Sequence, residues 1–101
     1  MQYVRIANYN VKSDNVQEIV DIAKESLVRK FQEQPGFIRY GLADMGERSV
    51  ASISFWNTRE EALAAETVAA TWTRETLGDK VELESSHVGS LAFLEGVLAA
   101  A

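Results

Sequence analysis

The side chains best suited to moving protons are few in this sequence. His87 is its only histidine, and an imidazole titrates near pH ~6.5, so His87 is the best candidate for a general base. Asn8 lies among apolar residues of a predicted strand, where its amide needs a hydrogen-bond partner and could orient a substrate oxygen. We therefore take His87 and Asn8 as the candidate catalytic residues. For each, a purely structural role stays open.

Three aromatic side chains are the candidate ligand contacts. Trp56 lies at the end of a predicted strand and Trp72 on the apolar side of a predicted helix, so each either packs in the core or forms the wall of a pocket. Arg39 and Tyr40 point to opposite sides of one strand, and only one of them can face the helices. Trp56, Trp72 and Tyr40 are the predicted substrate-binding residues.

The composition excludes several kinds of site and partner. The 101 residues contain no cysteine, and 10 basic against 15 acidic side chains give a net charge of −5. Disulfides, thiolate zinc sites and iron–sulfur clusters are excluded, and one histidine cannot form a two-histidine metal site. Scattered basic residues argue against nucleic acid and anionic membranes as partners. From the cysteine and histidine counts we expect no bound metal. Because no apolar run is long enough to span a membrane and the first residues do not form a secretory signal, we expect a cytoplasmic protein.

Alternating apolar and polar residues predict four strands. They fall at residues 3–9, 37–44, 49–56 and 81–94. In the last strand, Val81, Leu83 and His87 are expected on one side, and Gly89 is expected to mark a bulge or bend. His87 is thus expected on an apolar face of the sheet.

Helical spacing of apolar residues predicts two helices between these strands. The first follows an approximate capping box at Asp14 and Gln17. The second follows a clear capping box at Thr58 and Glu61 and runs to about Leu77. Because this second helix is rich in alanine, it either packs very closely on the sheet or leaves a cavity beneath it.

The resulting order, β-α-β-β-α-β, is typical of the α+β class with a ferredoxin-like antiparallel sheet. Two right-handed crossovers place both helices on one face of the sheet and leave the other face bare. Residues such as Ile53 and Phe55 would make that open face apolar, and a homodimer formed sheet against sheet would cover it. We predict one domain over residues 1–95 and a short tail over residues 96–101.

Two motifs and the long last strand make the chain similar to the antibiotic biosynthesis monooxygenase (ABM) family. The motifs are Gln34-Pro35-Gly36-Phe37 before the second strand and the run SFWNTREEA, residues 54–62. The resemblance implies a dimeric α/β barrel, the same dimer that the open sheet face predicts. It also implies oxidation of polycyclic phenols or anthrones without metal, flavin or nicotinamide, so no cofactor is expected.

The resemblance carries over to single residues only in part. Trp56 corresponds to the pocket tryptophan of these oxygenases, whereas their asparagine four residues earlier is Ser52 here and their tyrosine six residues later is Ala62. In the haem-degrading branch of the superfamily, Asn8 matches a first-strand asparagine, but the histidine position falls at Glu75. Haem ligation in the manner of that branch is therefore not expected.

Three functions are compatible with these features. The first is cofactor-independent monooxygenation of an aromatic or polyketide-like small molecule, an oxidoreductase activity. The second is a non-catalytic binding or accessory homodimer, and the third is isomerase or lactone chemistry with His87 as the proton shuttle. An enclosed pocket touched by both His87 and Trp56 would favour an enzyme, whereas a filled layer between helices and sheet would oppose it.

Overall fold

The computed structural model describes residues 1–96, which form two helices packed on one antiparallel sheet. The strands are β1 (Tyr3–Val11), β2 (Phe37–Gly46), β3 (Ser49–Trp56) and β4 (Val81–Ser90). The first helix covers residues 16–32 and the second helix residues 59–77. The strand order is β2-β3-β1-β4, with every neighbouring pair antiparallel. The predicted ferredoxin-like α+β fold is confirmed.

Side-chain caps fix where both helices begin. The Thr58 hydroxyl accepts a hydrogen bond from the Glu61 amide at 3.1 Å, as the second capping box predicted. At the first helix the predicted box is wrong by one residue, because Asn15 accepts from the Glu18 amide at 3.0 Å and Asp14 lies outside the helix. Each cap satisfies an amide that would otherwise have no intrahelical partner.

Both helices contain one π-helical turn, and the two turns lie close together. The turns are Ala23–Leu27 in the first helix and Thr73–Leu77 in the second. Directly before the second turn, the indole N–H of Trp72 donates to the Ser26 hydroxyl in the first turn at 2.7 Å. Such wide turns are rare and occur often at functional sites. Apolar spacing alone does not reveal them.

An aromatic cluster closes one end of the core. The Phe31 ring meets Trp56 at a centroid distance of 5.3 Å and Tyr40 at 5.1 Å, both edge to face. Phe37 completes the cluster at 5.5 Å from Trp56. Edge-to-face pairs of this kind contribute about 0.5–1.5 kcal/mol beyond the area that they bury. The first helix is thereby fixed on β2 and β3.

A bulge in β4 reverses the predicted orientation of His87. Asn8 pairs with Ser85 and Tyr9 with Leu83, so Glu84 has no partner on β1. Because one extra residue exchanges the two faces of a strand, Leu83 points to the helices while Ser85 and His87 point to the open face. The expectation that His87 shares a face with Val81 and Leu83 is therefore wrong. The bulge lies at Glu84 rather than Gly89.

The last strand is also shorter than its sequence pattern suggested. It ends at Ser90, after which the Leu91 amide donates to the Gln2 carbonyl at 2.9 Å. Residues 91–96 have no regular structure. Apart from Gly96, the predicted tail of residues 96–101 lies outside the described residues, and the domain boundary stays a prediction. Neither helix within residues 1–96 is long and apolar enough to cross a membrane.

Candidate functional site

A small cavity lies between the sheet and the two helices, beside the π-helical turns. Ala23 and Leu27 line it from the first turn, and Thr73 and Leu77 line it from the second. The volume open to the centre of a water-sized sphere is about 30 Å³. One water molecule needs roughly 10–15 Å³ of such volume. The space therefore fits one or two waters or another molecule of that size, and it is too small for an aromatic ring.

Hydroxyl groups from three strands meet at this cavity. Tyr9 comes from β1, Tyr40 from β2 and Ser52 from β3, and all three line the space. Burial raises the pKa of Tyr40 from 10.0 to about 12, and Tyr9 adds to the rise, while the Ser52 hydroxyl and the Arg5 charge lower it. The Tyr40 phenol is therefore neutral at physiological pH and can donate a hydrogen bond to an oxygen inside the cavity.

Trp72 forms one wall of the cavity and is held in place by its own hydrogen bond. Its side chain is almost fully buried, and its N–H is already donated to Ser26. The ring thus offers an apolar surface to the cavity and no free donor. Its bond to Ser26 also ties the two π-helical turns together.

A wider groove adjoins the cavity between the second helix and β4. Its volume is about 540 Å³, and it is lined by charged and polar side chains, among them Arg5, Glu66 and Ser86. Tyr9 and Thr73 line both the groove and the cavity, so the two spaces adjoin at these side chains. A ring that cannot enter the cavity could lie in the groove, with one edge at Tyr9.

Arg5, like Tyr9, is a residue of this region that the sequence analysis did not predict. It is only 2% exposed, and its Nε donates to the Ser86 hydroxyl at 3.2 Å and its Nη2 to the Tyr9 hydroxyl at 3.4 Å. The signal was available, because Arg5, Ala7 and Val11 lie on the same side of β1 and Val11 is fully buried. Extending the alternation to Val11 would have identified the odd-numbered side as the one that faces the helices.

The structure brings two of the five predicted site residues together. Tyr40 and Trp72 both line the cavity, and Arg39 takes the outward position beside Tyr40. Trp56 does not line it: the ring is completely buried among aromatic side chains, and its N–H donates to the Ser54 hydroxyl at 2.9 Å. These contacts fit a role for Trp56 in core packing rather than in the wall of a pocket.

Asn8 and His87 lie on the other side of the sheet from the cavity. The Asn8 side-chain amide donates to the Ser85 hydroxyl at 3.0 Å. His87 is exposed and stands opposite Ile6 on the open face. The backbone of the sheet separates both residues from Tyr40. Within residues 1–96, no three Asp, Glu or His side chains come together to hold a metal ion.

Solved structures similar to this one include proteins with oxygenase names. SnoaB, a cofactor-independent oxygenase from Streptomyces nogalater, matches with a TM-score of 0.72 and 16% identity over 92% of this chain and 95% of that one. A Nitrosomonas europaea protein named as an antibiotic biosynthesis monooxygenase matches with a TM-score of 0.70 and 21% identity over 94% of each chain. MupZ from Pseudomonas fluorescens has a TM-score of 0.70 and 13% identity, over 86% of this chain and 66% of its own. At these identities the similarity shows the fold.

Sequence comparison is more specific than the structural similarity. No curated protein matches the chain significantly. The family model described as antibiotic biosynthesis monooxygenase, however, matches residues 2–69, which is more than half of the chain. This chain belongs to the antibiotic biosynthesis monooxygenase family.

Proposed function

We propose that this protein is a cofactor-independent oxygenase that acts on an aromatic small molecule of the phenol or anthrone type. The observation that carries the proposal is the cavity with the Tyr9, Tyr40 and Ser52 hydroxyls and the Trp72 wall, joined through Tyr9 to a groove wide enough for rings. A water-excluded site with fixed donors stabilises a developing oxyanion strongly.

In the proposed reaction, the substrate itself reduces dioxygen. The electron-rich anion of an anthrone transfers electrons to dioxygen and forms a carbon–oxygen bond at its CH₂ carbon. Loss of water then leaves a carbonyl group, so one oxygen atom of dioxygen enters the product and the other leaves as water with the two hydrogens. The substrate supplies all the electrons, and the balance requires no further reductant.

The side chains of the site would divide this work by position. The ring lies in the groove, and dioxygen, which is close to water in size, occupies the cavity next to Tyr40. The neutral Tyr40 phenol donates to the oxygen on which negative charge develops. Tyr9, between the two spaces, is placed to contact the ring edge. In this proposal Tyr40 and Trp72 have the substrate-binding role that the sequence predicted for them, and His87 transfers no proton.

The protein is proposed to work as a homodimer formed through the open sheet face. That face carries Val4, Ile6, Ile53 and Phe55, and Ile6 is 42% exposed in a single chain. Members of the family are generally dimeric, and a second copy would cover these side chains together with Asn8 and His87. Light scattering is expected to report a dimer, and Ile53→Glu is expected to give a folded monomer.

The small cavity favours a second candidate, the non-catalytic binding protein. A volume of about 30 Å³ means that the layer between helices and sheet is nearly filled, and the cavity is touched by neither His87 nor Trp56. Such a protein would bind ligands in the groove without turning them over. Isomerase or lactone chemistry would need His87 as its proton shuttle. Because His87 lies on the open face, away from the cavity and the groove, no feature of the described residues favours that activity.

Oxygen uptake with a panel of anthrones and dihydroxynaphthalenes separates the two candidates. The oxygenase is expected to consume one dioxygen per product and to place one atom of ¹⁸O₂ in that product. Tyr40→Phe is expected to lower turnover by roughly 10²-fold, the scale of losing one oxyanion donor. Tyr3→Phe, the same change at a tyrosine remote from the cavity, serves as the matched control. If the panel binds but none of it is consumed, the non-catalytic candidate is the correct one.

A further inference from the structure

Arg5 has far fewer partners than a buried guanidinium normally has. The group carries five N–H donors, and here two of its nitrogens reach only neutral hydroxyls, at 3.2 and 3.4 Å. The third nitrogen, Nη1, is buried and has no hydrogen-bond partner in the part of the chain that the structure describes. A guanidinium keeps its positive charge in proteins. The burial of Arg5 therefore places a positive charge away from water.

The one carboxylate near Arg5 compensates this charge poorly. Glu66 Oε2 lies 3.9 Å from Arg5 Nε, and the Glu66 side chain is 33% exposed. The same oxygen already accepts a short hydrogen bond from the Ser86 hydroxyl at 2.5 Å. Buried charges are normally paired and hydrogen-bonded directly. Among residues 1–96, Arg5 therefore has no anionic partner closer than Glu66 at 3.9 Å.

The groove beside Arg5 has the form of a site for an amphiphilic ligand. Ala70 and Leu83 provide apolar wall, and Leu83 is 50% exposed despite its size. Arg5 lies at the buried side of the groove, whose lining also holds Arg74 and the carboxylates of Glu66 and Asp79. The groove is therefore not positive as a whole, and the attraction for an anion is local to Arg5. A ring would cover the apolar wall while an anionic oxygen on that ring approached the Arg5 guanidinium.

We infer that the groove binds aromatic molecules through an anionic oxygen, either a carboxylate or a phenolate, paired with Arg5. This inference rests on the proposed function only in taking the bound molecule as the substrate. It adds the substrate class, a ring that carries an anionic oxygen. Where that oxygen is a phenolate, the bound anion is also the electron-rich form that reduces dioxygen. Glu66 then competes with the ligand for Arg5, and removing its charge should strengthen anion binding.

Binding measured by calorimetry without any turnover tests the inference. The probes are 2-naphthoate, the neutral 2-naphthamide of the same shape, and 4-nitrophenol above and below its own pKa. The naphthoate is expected to bind at least roughly tenfold more tightly than the amide, as a charge-assisted pair requires. If the site prefers a phenolate to a carboxylate, ionised 4-nitrophenol should bind more tightly than 2-naphthoate.

Two variants assign the effect to Arg5. Glu66→Gln should tighten naphthoate binding severalfold and leave amide binding unchanged, and Arg5→Gln should abolish the difference between the two probes. Arg29→Gln, at an exposed arginine of the first helix, is the matched control and should change neither. If Arg5→Gln fails to fold, Glu66→Gln still decides the question, because the partly exposed Glu66 tolerates the change.

The inference is overturned if naphthoate and naphthamide bind equally or if Glu66→Gln weakens anion binding. Failure of the proposed function looks different: anions then bind at the groove, respond to Glu66→Gln as expected, and are not oxygenated. Conversely, oxygen uptake that is unaffected by Arg5→Gln and Glu66→Gln would keep the oxygenase and remove the anion site.

Discussion

The Tyr40 phenol should remain protonated well into alkaline solution, and this property can be measured directly. Burial raises its pKa from 10.0 to about 12. Each pKa unit corresponds to about 1.4 kcal/mol, so the free energy of unfolding includes about 2–3 kcal/mol that depends on this proton. Below pH 10 the phenol is neutral in both states, and the contribution is fully present.

The contribution is lost as the pH rises. Between pH 10 and about 12 the unfolded chain releases the proton while the folded chain keeps it, so the free energy of unfolding falls with pH. Above the folded pKa both states are ionised and the full amount is gone. Wild type should therefore lose about 2–3 kcal/mol more than Tyr40→Phe over this interval, since the phenylalanine has no proton to release.

Absorbance at 295 nm and urea unfolding provide the two readouts. The folded wild-type protein should show a phenolate transition near pH 12 that Tyr40→Phe lacks and Tyr3→Phe keeps. Urea unfolding of wild type and Tyr40→Phe at intervals from pH 9 to 12 should show the two stabilities converging or crossing as the wild type weakens. If the folded protein has no late transition, the Tyr40 phenol is open to solvent and the cavity does not bury it.

Substitutions at three further residues test the contacts that support the site. Gly36→Ala should destabilise the fold by about 1–2 kcal/mol in thermal or urea unfolding, since Gly36 has φ +78° and the Glu61 carboxylate would also have to move away from the new Cβ. A stable Gly36→Ala protein would contradict that geometry. Ser26→Ala should lower the free energy of unfolding by about 1–3 kcal/mol, because the buried Trp72 N–H is left without a partner. It should also raise the rate of amide exchange in both π-helical turns. Unchanged exchange would show that this hydrogen bond does not couple the two turns. Thr58→Ala should cost about 1 kcal/mol through loss of the helix cap, whereas Thr58→Ser should restore most of it, and equal losses in both variants would argue against capping.

Most of the fold follows from local sequence pattern. Alternation locates all four strands, and β3 is predicted with the observed bounds because Val50, Ser52, Ser54 and Trp56 all face the helices without interruption. The capping box at Thr58 predicts the start of the second helix in the same direct way. These features depend on neighbours a few residues apart, which a single sequence displays.

The orientation of β4 and the shape of the site depend on features that local pattern does not carry. The bulge at Glu84 arises from pairing with β1 and moves His87 to the open face, so the strongest candidate base is removed from the cavity by a single unpaired residue. The two π-helical turns, which carry cavity-lining residues such as Ala23 and Thr73, leave the apolar spacing of the helices almost unchanged. Arg5 is not among the predicted site residues, because burial of a charged side chain is rare.

The central claim is that the functional site lies on the helix side of the sheet, at Tyr40 and the adjoining groove. The most direct measurement is the rate of ¹⁸O₂ incorporation into an anthrone by wild type, Tyr40→Phe, Tyr3→Phe and His87→Ala under one condition. We predict that Tyr40→Phe lowers the rate by roughly 10²-fold while Tyr3→Phe retains it. A full rate in Tyr40→Phe together with loss of turnover in His87→Ala would place the chemistry on the open face and contradict the account.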